Sequence, residues 1–216
     1  VWISTTGGTL WMNTSVPNNI LVPENINAID ISPSYMGPLG TTHDIAIGTR
    51  NGGGLGAVLM VSYPIGVGAW TNQNFVPATG QDVLAIKFSP SYSGDFCLVV
   101  VSADTVADPN TTGNTWLHAG FHDVILNTTV WDTAIGAHFT AYPVEVAAAT
   151  NASPGASAIV TADLELVSDW NGDDPRSRIY FVSYDVSESS TAAPWADVYR
   201  LNDTIVYDLN IPVPRI

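Results

Sequence analysis

"DVLAIKFSPSYSGDFCLVVVSAD" (82–104) is an apolar strand, a turn of Ser, Pro, Tyr and Gly, and a second apolar strand. The same plan stands upstream as "NAIDISPSYMGPLGTTHDIAIGT" (27–49) and downstream as "AIVTADLELVSDWNGDDPRSRIYFVSYDV" (158–186). Each turn is anchored by an aromatic residue, Tyr35, Tyr92 or Trp170, with a glycine two residues on, Gly37, Gly94 or Gly172. Pro33 and Pro90 follow the first strand, where a missing N–H removes no ladder bond. Gly37 and Gly94 are expected to end turns that need a positive φ.

A second strand pair follows each of these. It reads "GAVLMVSYPIGVGAW" (56–70), "HDVILNTTVWDT" (122–133) and "ADVYRLNDTIVYDL" (196–209). The opening "VWISTTGGTLWM" (1–12) is a fourth copy, and the first valines of the four are Val1, Val58, Val124 and Val198. One unit is therefore strands A, B, C and D in about 60 residues, the blade of a β-propeller. The expected fold is all-β, an array of four-stranded antiparallel blades over about 27–76, 82–140 and 158–209, preceded by a C–D half blade at 1–14. No stretch carries a sustained 3.6-residue period with caps, so little helix is expected. The second strands are apolar on both faces, as sheets packed face to face require. Residues 97–101, "CLVVV", are accordingly predicted to be buried between neighbouring sheets.

The half blade raises a question of pairing. A two-stranded hairpin is marginal alone in water, and its outer strand presents unpaired backbone groups. Strands C and D of the last blade are already supplied by 197–209, and rings close with about four to eight blades. The expectation is a fragment of a longer propeller, with a neighbouring subunit as the other source of the missing strands.

The turn Ser4-Thr5-Thr6-Gly7-Gly8-Thr9-Leu10-Trp11 has the spacing Ser-x-Asp-x-Gly-x-Thr-Trp with Thr6 in place of Asp. With "SPSYMG" (32–37) and "SPSYSGD" (89–95), it makes the chain resemble the Asp-box (BNR, sialidase-like) repeat propellers, closest in style to large bacterial and archaeal surface proteins. The later copies keep Trp70, Trp131 and Tyr207 but lose most of the motif, and Asp203 is the best surviving acid. What the resemblance implies is a propeller whose Asp-box turns are structural and stand away from any active site.

Composition narrows the function classes. The chain carries 20 acidic and 6 basic residues, a net charge of −14, with Lys87 the single lysine. Such a surface repels phosphate backbones and anionic headgroups, which argues against nucleic acid and membrane surfaces as partners. No apolar run reaches the length of a membrane span. Cys97 is the single cysteine, and five Asn-x-Ser/Thr sites occur at Asn13, Asn110, Asn127, Asn151 and Asn202. These features point to an extracellular or cell-surface glycoprotein.

Few residues have a pattern that carries chemistry, and the reading assigns no catalytic residue. Asp169, Asn171 and Asp173 have the 1-3-5 rhythm of a calcium loop, with Asp174 beside them, but no Gly at position 6 and no acid at position 12. Calcium, if bound, is expected there. His118 and His122 are four apart, and in extended chain that separation, about 13 Å, prevents them from sharing an ion; they are read as polar loop residues leading into a strand. A sialidase would need converging arginines from among Arg50, Arg176, Arg178, Arg200 and Arg215. It would also need a Tyr–Glu nucleophile pair, and Glu145 and Glu165 lie beside no Tyr in any visible motif; a two-carboxylate glycosidase has no fixed spacing to find. No Ser–His–Asp order or zinc pattern is visible. The expected role is a non-enzymatic structural or binding module whose partners are other protein chains or the rest of the propeller, with carbohydrate as a further ligand class. The alternative is a carbohydrate-active enzyme completed by further blades.

Overall fold

A computed structural model of the chain describes residues 1–4, 6–16, 25–38, 40–50, 56–63, 69–76, 81–104, 115–147, 159–186 and 196–211. In chain order the strands are β1 (Trp2–Ile3), β2 (Met12–Asn13), β3 (Asn25–Ile31), β4 (Tyr35–Gly37), β5 (Gly40–Arg50), β6 (Val58–Tyr63), β7 (Thr71–Asn72), β8 (Gln81–Phe88), β9 (Cys97–Asp104), β10 (Thr115–Asp123), β11 (Thr128–Trp131), β12 (Val144–Ala147), β13 (Ile159–Leu166), β14 (Ile179–Val186), β15 (Ala196–Asn202) and β16 (Ile205–Asp208). The helical content described is one turn at Tyr92–Asp95 and one 3₁₀ turn at Asp132–Ile135.

The fold is all-β. Three antiparallel sheets run β3-β5-β6-β7, β8-β9-β10-β11 and β13-β14-β15-β16, and β1-β2 forms a separate hairpin. Strand β4 continues the edge of β5 that β3 occupies, and β12 continues the edge of β10 that β11 occupies. The three sheets are numbered here 1, 2 and 3. The described residues do not close a ring.

The sheets stack in chain order because their middle strands are apolar on both faces. Strand β9 shows this most clearly. Cys97, Val99 and Val101 pack with Leu164, Trp170, Tyr180 and Val182 of sheet 3. Leu98 and Val100 point the other way, onto Tyr35, Ala46, Val58 and Met60 of sheet 1. All five residues 97–101 are at most 1% exposed, as the apolar run predicts. Each buried Val or Leu is worth about 1.5–3 kcal/mol relative to exposure. On the far face of sheet 1, Ile45, Ile47, Leu59, Val61 and Trp70 receive Val1, Ile3 and Val16 from the hairpin, and the Trp70 indole donates to Thr14 Oγ1 at 3.1 Å.

The first strands of the sheets also meet. The Phe88 amide in β8 donates to Asp30 Oδ2 of β3 at 2.8 Å, and Lys87 in β8 pairs with Glu165 of β13 at 3.2 Å.

Two local readings are corrected. Gly37 and Gly94 do not carry the positive φ; Gly40 (114°) and Phe96 (48°) do. The first turn runs on through β4 before it reverses, so the left-handed residue comes later. In the second, the helical turn at Tyr92 ends in a left-handed Phe96 whose N–H donates to Tyr92 O. The Phe96 ring packs edge-on against both Tyr35 and Tyr92 at 5.6 Å, which offsets the backbone cost. Gly37 is required for space instead: a methyl there would meet Thr42 Oγ1 at 2.5 Å.

The third copy of the C–D pair is also misplaced. Val124 lies in the turn after β10, because β10 begins at Thr115 and pairs with β9 along Thr115–Phe121. Since Ile45, Leu98 and Tyr180 face Val61, Gly120 and Leu201, the position matching Val58 and Val198 is Leu117.

In the opening turn Gly7 and Gly8 take positive φ (63° and 87°). Ser4 Oγ accepts from the Gly8 amide at 2.8 Å, and Thr6 Oγ1 accepts from the Leu10 amide at 2.8 Å. The Trp11 indole folds back to donate to Gly8 O at 2.9 Å. A threonine hydroxyl thus caps the turn at the place where the motif has a carboxylate.

Candidate functional site

Among the described residues, the buried polar side chains include three hydrogen-bonded groups around His118, Asp44 and Arg178. Two of them lie on the interface of sheets 1 and 2.

The first is centred on His118, in the middle of β10. Its Nε2 lies 2.8 Å from Ser102 Oγ, near the end of β9, and its Nδ1 lies 2.8 Å from Asp132 Oδ2. Asp132 follows β11 with φ 54°, and its other oxygen accepts from the Ala119 amide at 3.1 Å. Ser102 donates to Gln81 Oε1 at 2.7 Å. The Phe75 ring meets the His118 ring edge-on at 4.9 Å. A hydroxyl on Nε2 and a carboxylate on Nδ1 is the order of groups in a serine-hydrolase triad. The surroundings are different. Ser102 is fully buried and its proton is held by Gln81, so a substrate carbonyl does not reach the ~3 Å that attack requires. What the group does is join β8, β9, β10 and the turn after β11.

The second is centred on Asp44, fully buried in β5. Its Oδ1 accepts from Tyr35 (2.9 Å) and Ser62 (2.7 Å) within sheet 1, and its Oδ2 accepts from the Tyr92 hydroxyl of sheet 2 at 2.7 Å. His122 Nε2 stands 4.0 Å from Oδ2, and His122 Nδ1 is 3.2 Å from Thr129 Oγ1. Thr129 donates to Gln73 Oε1 at 2.8 Å, returning the chain of bonds to sheet 1. Burial lowers the His122 pKa, with Asp44 and Asp123 pulling the other way. Burial also raises the Tyr35 and Tyr92 hydroxyls, helped by the neighbouring carboxylate, so both stay protonated as donors.

The third ties sheet 3 to the segment after β11. Arg178 is fully buried. It donates to Gly172 O, to His138 O at 2.6 Å and to Asp203 Oδ1 at 3.1 Å, and its guanidinium lies 3.9 Å from the Phe139 ring centre. Tyr142 donates to the same Asp203 oxygen at 3.0 Å. Asp203, the surviving acid of the C–D turns, therefore holds an internal cation.

The histidines are not loop residues. Both lie on one face of β10, 4% and 1% exposed, because 115–123 is strand along its whole length. Each has its own carboxylate, Asp132 or Asp44. Of the arginines, Arg176 is exposed and pairs with Asp174, and Arg50 reaches Val160 O and Asp82. Arg200 lies in β15, and Arg215 falls outside the described residues. Glu145 is an exposed residue of β12, and Glu165 is engaged with Lys87.

Around 169–174, Asn171 Oδ1 accepts from the Asp173 amide at 2.7 Å, an Asx turn. Asp174 binds the Arg176 backbone and side chain, which lowers its carboxyl pKa. Asp169 and Asp173 are exposed. Among the described residues no group of three or more His, Cys, Asp or Glu side chains is placed to hold a metal.

Sequence reading missed Ser102–His118–Asp132 and the Asp44 hub, since their members come from different strands and have no fixed spacing. One signal was present: Ser102 closing the apolar run, and two histidines four apart on a strand.

Neither models of known protein families, nor curated proteins, nor solved structures match this chain. Among the described residues no helix is long and apolar enough to cross a membrane.

Proposed function

We propose that this chain is a secreted or cell-surface β-propeller module of the Asp-box style, with a structural or binding role and no catalysis of its own. One observation carries the reading: the buried acids, histidines and arginine serve as internal ties, within sheet 2 around His118 and between neighbouring sheets at Asp44, His122 and Arg178, whereas large apolar side chains are exposed on the outside of every sheet, the two end sheets included. Ile29 and Ile31 of sheet 1 are 57% and 55% exposed, and Phe181, Ile205 and Tyr207 of sheet 3 are 37%, 58% and 46% exposed. Interior polar groups arranged as ties, with apolar surface left at the ends of a stack, suit a module that continues into other protein surface. Three successive four-stranded meanders with adjacent first strands support the propeller reading. Exposed Asn13 and the acidic surface support an exterior location; Asn127 and Asn202 are half-buried, and Asn110 and Asn151 lie outside the described residues.

The test is a serine-directed fluorophosphonate probe on the native chain, with Ser102→Ala as control. The reading predicts no adduct on either. An adduct on Ser102 that the substitution removes would overturn it in favour of a hydrolase.

A further inference from the structure

The β1–β2 hairpin, sheet 1 and sheet 3 end their last strand in the same way. The amide just past that strand donates to a valine at the start of the strand before it: Thr14 to Val1 O at 3.0 Å, Gln73 to Val58 O at 2.9 Å and Leu209 to Val198 O at 3.1 Å. Asn13, Asn72 and Asp208 are therefore equivalent, and they stand opposite Trp2, Leu59 and Tyr199. Each closes an Asx turn. Asn13 Oδ1 accepts from the Ser15 amide at 2.9 Å, Asn72 Oδ1 from the Asn74 amide at 2.8 Å and Asp208 Oδ1 from the Asn210 amide at 2.7 Å. The third residue of each turn is left-handed, with φ 50° at Ser15, 52° at Asn74 and 49° at Asn210.

The turn itself is structural, since all three copies have it. Its third residue sets the first copy apart. Asn74 and Asn210 are of the residue type that takes positive φ most readily, and Ser15 gives up that preference. Serine at this place makes Asn13-Thr14-Ser15 an acceptor site for N-linked sugar, which neither Asn72-Gln73-Asn74 nor Asp208-Leu209-Asn210 is. A local rule broken at an exposed turn points to function.

The geometry suits the reaction. Thr14 is held in place: its hydroxyl donates to Val1 O at 3.0 Å and accepts from the Trp70 indole. Asn13 and Ser15, on either side of it, are exposed. Among the described residues nothing bonds Asn13 Nδ2, the atom that attacks the sugar donor. A sheet stacked on this face leaves the position open, because Asn72 and Asp208 are exposed although Leu59 and Tyr199 opposite them are buried in the contacts with the hairpin and with sheet 2. The other two Asn-x-Ser/Thr sites among the described residues are closed. Asn127 is half-buried, and the hydroxyl its site requires, on Thr129, is buried and donates to Gln73. Asn202 lies within β15 with its Oδ1 buried.

We propose that Asn13 carries an N-linked oligosaccharide, and that the folded chain accepts it there in preference to Asn127 and Asn202. The donor is a lipid-linked oligosaccharide diphosphate. Asn13 Nδ2 forms the bond to the sugar C1, the bond from C1 to the diphosphate oxygen breaks and its electron pair leaves with the lipid diphosphate, and the amide proton passes to a base of the transferase. The inference rests on the exterior location in the reading above.

The test is glycosylation of the purified, folded chain by an oligosaccharyltransferase with a lipid-linked oligosaccharide, each site being read by peptide mass mapping. Closed sites react only through local opening, so initial addition at Asn13 is expected to exceed that at Asn127 or Asn202 at least about tenfold. Ser15→Ala is expected to lower addition at Asn13 at least about tenfold while keeping the backbone amide of the turn, and Ser15→Thr to restore it. No addition at Asn13 overturns the proposal. So does addition at Asn127 or Asn202 at the same rate, since the fold would then not select the site, and so does addition at Asn13 that survives Ser15→Ala. The purified chain is used, so a failure here removes the glycan and leaves the non-catalytic reading to the Ser102 probe.

Discussion

The Tyr92 hydroxyl of sheet 2 donates to Asp44 Oδ2 of sheet 1 at 2.7 Å, and the same relation recurs one interface further on, where the Gly172 amide of sheet 3 donates to Asp95 Oδ2 of sheet 2 at 2.8 Å. Both donors lie in the turn between the first two strands of a sheet, Tyr92 at the anchoring aromatic and Gly172 at the glycine two residues beyond it. The acceptor Asp44 lies in the second strand of sheet 1, and Asp95 in the helical turn that leads into the second strand of sheet 2. A buried carboxylate is costly to desolvate, so each is held by several donors. The consequence is specificity: apolar faces alone allow one sheet to slide over the next, while a carboxylate that needs a particular donor fixes the stacking position.

Asp95 is the sharper case for substitution. It accepts from Ser89 at 2.6 Å, from the Cys97 amide at 3.0 Å and from Gly172. Asp95→Ala leaves two buried amides without an acceptor and is expected to cost about 2–5 kcal/mol in urea unfolding. A loss under about 1 kcal/mol would show that water or a backbone shift replaces the carboxylate.

Gly172 is also required for space. A methyl there would run into Cys97 Sγ and its Cβ. Gly172→Ala is expected to destabilise by about 1–3 kcal/mol, with part of that loss recovered when Cys97→Ala removes the sulfur. Additive effects would mean that the sheets separate freely at this point. Cys97 is buried at this contact, and burial raises its thiol pKa.

His122 sets a pH dependence. Its folded pKa lies below the ordinary histidine value because it is buried, so the folded state binds its proton less readily than the unfolded chain does. Stability is therefore at its full value above about pH 6.5 and falls as the pH drops below it, by at most about 1.4 kcal/mol per pH unit for one proton. His122→Gln should flatten the stability profile between about pH 6.5 and 5 relative to the native chain. An unchanged slope would place the titration elsewhere.

Much of the architecture was legible because it repeats. "SPSY" before an apolar run located two of the three A–B pairs, and Trp170 with Gly172 located the third despite a different turn. The both-faced apolar character of 97–101 announced a strand between two sheets. Val124 misled because local turn chemistry in "VILNTT" resembles a strand start, while the pairing of β10 with β9 is a long-range fact. The polar groups were the least legible. Ser102, His118 and Asp132 meet only because β9, β10 and β11 are neighbours, and Asp44 meets Tyr92 only because the sheets stack. Gly37 and Gly94 were read for backbone freedom, whereas close packing explains the first, and Phe96 takes the left-handed position after the second.

The claim on which the account rests is that neighbouring sheets are joined through buried polar ties, and the Asp44–Tyr92 pair tests it most directly. In a double-mutant cycle of Asp44→Asn and Tyr92→Phe, read by urea unfolding, the account predicts a coupling of at least about 1 kcal/mol, since the two groups share one hydrogen bond in a sealed interface. Effects that add to within about 0.3–0.5 kcal/mol would contradict it.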